Sequence, residues 1–176
     1  MTPTPDWLQE KLFERRIVFL TGRLDDALAA QVASQVTMLD AAGDGPIDVV
    51  VNSADGTLEA AFVLIDVLEA ARAVVRAQCQ GQVSGPAVGV VAAAAERSAA
   101  PHTTFRLIAP ATRVSGTPAE LATASVQHRQ LLWRFQARLA RTTGRPAEDV
   151  ADDMRQGRYL DARQALDYGL IDTIRV

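Results

Sequence analysis

Short runs of β-branched and other apolar residues alternate along the chain with longer stretches whose apolar positions recur every three or four residues. The first pattern suits buried strands and the second amphipathic helices, so the alternation predicts βα units around a largely parallel sheet. Ile17-Val18-Phe19-Leu20 reads as a strand, and Asp25-Asp26 caps an alanine-rich helix reaching about Ala42. Gly43-Asp44-Gly45-Pro46 turns into a strand over 47–51, and Asn52-Ser53-Ala54-Asp55-Gly56-Thr57 opens a second helix to about Arg72. A strand over 74–79, a helix over 85–95 and, after Pro101-His102-Thr103-Thr104, a strand over 105–108 continue the alternation. Repeated ββα units of this kind predict an α/β spiral in one domain over 1–176, with 1–12 as an amino-terminal segment.

A different pattern begins at Thr117-Pro118-Ala119-Glu120, a capping box with proline at the first helical position. Leu121, Ala124, His128, Leu131, Phe135 and Leu139 follow at spacings of three and four, and Thr143-Gly144 supplies a left-handed cap, so one helix is expected over 117–143. A helix of that length in a domain of this size has two uses for its apolar face: contact with another subunit, or packing on its own sheet. Pro146 starts a further helix, Asp161 caps another, and Gly169 closes it before a last strand over 170–174.

Composition narrows the partners. With 176 residues and 48% hydrophobic content the chain can bury a sizeable core. A net charge of -3 without a block of like charges points away from nucleic acid and anionic membranes. The longest apolar run, 88–95, is too short to span a bilayer. No basic segment followed by an apolar one opens the chain, and the lone Cys79 cannot form an internal disulfide, so a cytoplasmic location is expected. One cysteine and two scattered histidines do not make a metal site. Gly81, Gly85 and Gly89 do not match a dinucleotide or phosphate loop, so no cofactor is expected.

Candidate chemistry concentrates at Cys79-Gln80-Gly81-Gln82-Val83-Ser84-Gly85-Pro86, a strand running into a glycine-flanked turn and a buried helix. That layout presents a nucleophile, and Ser84 is the residue available; the alternative is a small polar side chain bonding its own turn. Glu14-Arg15-Arg16-Ile17-Val18-Phe19-Leu20, Leu24-Asp25-Asp26, Val51-Asn52-Ser53-Ala54-Asp55-Gly56, Leu160-Asp161-Ala162 and Ala165-Leu166-Asp167-Tyr168-Gly169-Leu170-Ile171-Asp172 together resemble the proteolytic subunit of the Clp protease, in order over roughly residues 12 to 174. The resemblance implies the ClpP/crotonase fold, a seven-membered ring that stacks into a barrel, an ATP-dependent unfoldase partner, and the long helix as the handle that meshes two rings. Only about a dozen residues precede Phe13, fewer than the pore loops of that family would need, so unfoldase engagement is an open expectation.

Carried over residue by residue, the same resemblance implies a degenerate site. The family serine of Gly-Met-Ala-Ala-Ser, counted from Gly81, falls on Gly85, with Ser84 one residue early. The histidine of Met-Ile-His-Gln-Pro falls on Ile108, and the aspartate of Asp-Arg-Phe-hydrophobic-Ser-Ala falls on Gly157. The oxyanion hairpin Ser-Pro-Gly-Gly appears as Ser53-Ala54-Asp55-Gly56, which puts the Asp55 carboxylate beside a developing negative charge. His102 lies at the far end of its strand from Ile108, His128 lies on the long helix, and Asp152 and Asp153 belong to a helix. The expectation is a ring subunit, homomeric or mixed with an active paralogue, that does not cleave peptides. An active peptidase using Ser84 and an acyl-CoA-binding relative of the crotonase type are the alternatives.

Overall fold

A computed structural model describes residues 6–110 and 115–175. The alternating pattern becomes α1 (Asp6–Glu14), β1 (Ile17–Thr21), α2 (Asp26–Ala42), β2 (Ile47–Ser53), α3 (Leu58–Ala70), β3 (Val75–Ser84), α4 (Pro86–Val91), β4 (Glu96–Ala99) and β5 (Thr104–Arg106). Then come α5 (Pro118–Thr143), α6 (Ala147–Gln156), β6 (Tyr159–Asp161), α7 (Ala162–Tyr168) and β7 (Thr173–Ile174). Strands β1, β2, β3, β4 and β7 lie side by side in that order, all parallel, and β5 and β6 extend the sheet from the far end of β3. The α/β spiral with one long helix is therefore the architecture of the described residues.

Local chemistry sets the boundaries. Asp25 caps α2 by accepting the Leu28 N–H at 3.0 Å, and Thr57 caps α3 by accepting the Ala60 N–H at 3.2 Å. The inner face of the sheet and the helices that cover it bury Leu20, Ile47, Val51, Leu64, Ile65 and Phe105. The helix expected over 85–95 is shorter, because the chain leaves it after Val91 to reach β4, whose Glu-Arg-Ser-Ala sequence carries no strand signature. The last strand is two residues long, with Leu170 and Ile171 buried ahead of it. The amino-terminal segment is helical from Asp6, and residues 1–5 of it lie outside the described residues. Among the described residues no helix is long and apolar enough to cross a membrane.

Helix α5 forms with both capping-box bonds: Thr117 N–H donates to the Glu120 carboxylate at 2.7 Å, and Glu120 N–H donates to Thr117 Oγ1 at 3.4 Å. Its 26 residues span about 39 Å. The two halves differ. Phe135 and Leu139 are fully buried in their own chain, with Phe135 edge-on to Phe62 at 6.4 Å and against Gly89. Leu131 packs partly on the same core, whereas Leu121 and Val126 stay exposed at 39% and 45%. Phe135 and Leu139 therefore do not join Leu121 and Leu131 on one intersubunit face: they pack within their own chain, and the exposed large apolar side chains of the helix are Leu121, Val126 and, just past its middle, Trp133 at 67%.

Candidate functional site

One strand builds the site by bending. Between Val51 and Ser53 β2 advances two residues while β3 advances four, from Cys79 to Val83. The surplus is absorbed at Gly81, whose φ of 62° is left-handed, and Asn52 Oδ1 accepts the Gln82 N–H there at 3.2 Å. Beyond the bend β3 pairs with β5 in the register Ser84↔Arg106 and then turns sharply at Gly85, with φ 53° and ψ -120°. The Gly85 N–H donates to the Arg106 carbonyl at 3.0 Å, which fixes the turn at the end of β5.

A side chain at position 85 would begin 3.5 Å from Cγ2 of Ile108, so Gly85 and Ile108 face one another. Alternation along β5 buries Phe105 and Leu107 in the core and turns Arg106 and Ile108 the other way. β6 runs antiparallel to β5 with Arg106 opposite Tyr159, and the Leu107 N–H donates to the Arg158 carbonyl at 2.8 Å. Beyond it the Ala109 N–H donates to the Met154 carbonyl at 3.3 Å, so the chain after β5 runs beside the end of α6. Gly157 is the left-handed C-cap of α6 at φ 69°, and it faces a cation: a side chain there would begin 3.3 Å from Nη2 of Arg106. The Arg106 guanidinium lies over the Tyr159 ring at 4.9 Å.

The hairpin over 52–57 is held by short contacts. Gly56 approaches Leu24 so closely that a Cβ on it would lie 2.7 Å from that of Leu24, and Leu24 N–H donates to the Asp55 carbonyl at 2.8 Å. The Asp55 carboxylate accepts the Gly56 N–H at 2.8 Å through one oxygen and pairs with Arg23 through the other. A backbone donor that could face a developing oxyanion is thus already engaged.

A protein-family model described as Clp protease matches residues 5–176. The chain belongs to the Clp protease family. Among its relatives are ATP-dependent Clp protease proteolytic subunit 1 of Corynebacterium diphtheriae, 31% identical over 170 residues, 93% of this chain and 80% of that protein. Proteolytic subunit 2 of Corynebacterium jeikeium is 31% identical over 168 residues, again 93% of this chain and 80% of the relative. A Clp protease proteolytic subunit-like protein of Streptomyces coelicolor is 35% identical over 170 residues, with the same coverage.

The other candidate groups of this Clp protease family member lie apart from the Gly85 and Ile108 pair. Ser84 is 1% exposed and belongs to the paired part of β3, so its side chain leaves the strand in a different direction from position 85, the one that faces Ile108. His102 is exposed in the turn before β5, at the opposite end of that strand from Ile108. His128 lies in the exposed half of α5. Asp152 pairs with Arg155 at 2.8 Å, and Asp153 accepts from Arg158 at 2.9 Å and from the Tyr168 hydroxyl at 2.8 Å, so neither replaces an orienting carboxylate. Burial pushes the Cys79 thiol up to about 12, which leaves it without thiolate character near neutral pH. Sequence reasoning overlooked Arg106; the signal was its position two residues before Ile108, on the same side of the strand.

Proposed function

We propose that this chain is a ring-forming subunit of a Clp-type assembly that keeps the scaffold of the proteolytic subunits and does not hydrolyse peptide bonds. The observation that carries the reading is the contact between Gly85 and Ile108. A serine nucleophile needs a base within hydrogen-bond reach, and this contact offers a hydrogen atom against a branched hydrocarbon. Loss of a triad serine or histidine costs about 10⁶ in turnover, and loss of one oxyanion donor a further 10²–10³ or so. Gly157 beside a guanidinium and Gly56 bonded to Asp55 act in the same direction. Burial of Ser84 speaks against the peptidase alternative, and membership of the Clp protease family against the acyl-CoA one.

In this reading the chain acts structurally or regulates in the cytoplasm. It joins rings through the exposed half of α5 and its sheet edges, alongside an active proteolytic paralogue and the ATP-dependent unfoldase that serves it. The test is fluorogenic peptide turnover by the isolated chain and by rings formed with the paralogue. No turnover is expected alone, together with co-purification of the two chains; turnover by the isolated chain would overturn the proposal.

A further inference from the structure

Strand β1 is an edge of the sheet, and half of its main chain faces away from β2. The Asp48 N–H donates to the Arg16 carbonyl at 2.9 Å, and the Gly22 N–H to the Asn52 carbonyl at 3.0 Å. With a period of two, the even-numbered residues between them turn their N–H and C=O groups to β2, and Ile17, Phe19 and Thr21 turn theirs outward. No other main-chain group among the described residues pairs with those outward groups. Ile17, Phe19 and Thr21 are also the β1 residues that line a cleft of about 460 Å³ between β1, α1 and α2. Leu12 and Phe13 of α1 form one wall, Leu28 and Gln35 of α2 form the other, and every lining side chain is uncharged. In the α2 wall Oε1 of Gln35 is buried and has no hydrogen-bond donor. A buried acceptor without a donor is costly and uncommon, which marks the place where an N–H is missing.

Three features define what fits this cleft. The outward groups of Ile17, Phe19 and Thr21 repeat every two residues, about 6.6 Å, and call for N–H and C=O groups that alternate along a line at the same repeat. Gln35 calls for one more donor, and Leu12, Phe13 and Leu28 leave no partner for a charge. An acyl chain offers no hydrogen bonds, and a helix spends its own internally. An extended peptide meets all three. It must also stand clear of its own fold, because the edge lies between two helices. A second copy of this chain does not bring such a strand from its sheet edges: its β1 carries the same flanking helices, and among the described residues its other edges, β6 and β7, have three and two residues against five in β1. We propose that the cleft takes an extended, uncharged segment of a partner protein, a tail or a loop, which adds a strand to β1 and donates an N–H to Gln35. This goes beyond the assembly reading and holds whether or not the chain cleaves peptides.

The experiment selects a phage-displayed library of random seven-residue peptides on the purified full chain, then measures the most enriched peptide, synthesised with a label, by fluorescence anisotropy. Enrichment of uncharged, proline-free sequences rich in Val, Ile, Thr and Leu is expected. Two N-methylated versions of that peptide, blocked at alternate residues of opposite parity, should separate: one loses about tenfold or more in affinity and the other stays within about threefold, because only alternate N–H groups of an added strand face β1. Phe19→Lys, a charge on the edge, should weaken binding about tenfold or more. Gln35→Leu should weaken it about threefold to tenfold while leaving the melting temperature of the free protein unchanged or raised, since the oxygen it removes is unsatisfied there. The proposal is overturned by a library that yields no enriched peptide or only charged ones, by equal losses from the two N-methylated peptides, or by full affinity in folded Phe19→Lys. It is overturned equally by a peptide that binds only as the assembly dissociates in light scattering, which would assign the cleft to a second copy of this chain.

Discussion

On the proposed reading position 85 carries no nucleophile, and its backbone of φ 53° and ψ -120°, open to glycine, is kept by its bond to the Arg106 carbonyl and by the buried helix that follows. Chemistry should therefore be restorable only as a unit. In an Asp55→Gly background that frees the Gly56 N–H, Gly85→Ser, Ile108→His and Gly157→Asp place three polar groups at adjoining positions. The introduced side chain, however, starts with its Cβ 3.3 Å from Arg106 Nη2, and its carboxylate is expected to pair with Arg106 rather than orient an imidazole. Fluorophosphonate labelling is therefore expected only when Arg106→Met is added; equal labelling without that change would show that Arg106 diverts nothing. Much of this site is legible in the sequence, because glycine, strand and proline spacing is enough to bring Gly85 and Ile108 together. Arg106 was not, since an arginine two residues along an exposed strand face looks solvated until Tyr159 and Gly157 are placed around it. Nor was the Asp55 bond to Gly56 N–H, which depends on a local backbone turn.

Helix α5 shows how one amphipathic stripe can serve two purposes along its length. Phe135 fills the space over Gly89, so Phe135→Ala should lower protomer stability by about 3–5 kcal/mol in chemical denaturation. Leu121→Asp lies on an exposed turn and should leave protomer stability within about 0.5 kcal/mol while reducing assembly size in light scattering. The opposite pattern, with Phe135→Ala changing only assembly, would contradict this division of the helix. Periodicity revealed the helix and its caps, because Thr117, Pro118, Glu120 and Gly144 act locally. It did not reveal which half meets the domain, because Leu121 and Leu139 share a stripe and differ only in what the rest of the chain brings to them. Strands β4 and β6 escaped the pattern for a related reason: each is a short, mostly polar segment, so alternation over three or four residues carries little signal.

On the scale of the whole molecule, the sheet order, the bend of β3 and the family match over residues 5–176 describe a Clp protease family domain with glycine, isoleucine and glycine at the positions where the resemblance implies serine, histidine and aspartate. On the proposed reading this scaffold completes a ring and does not cut. The measurement that separates these asks only whether any serine is activated: intact-mass analysis of the assembled protein after exposure to a fluorophosphonate, with an active Clp proteolytic subunit treated in parallel. The mass should stay unchanged while the active subunit gains one adduct. A single adduct on this chain, removed by Ser84→Ala, would contradict the account.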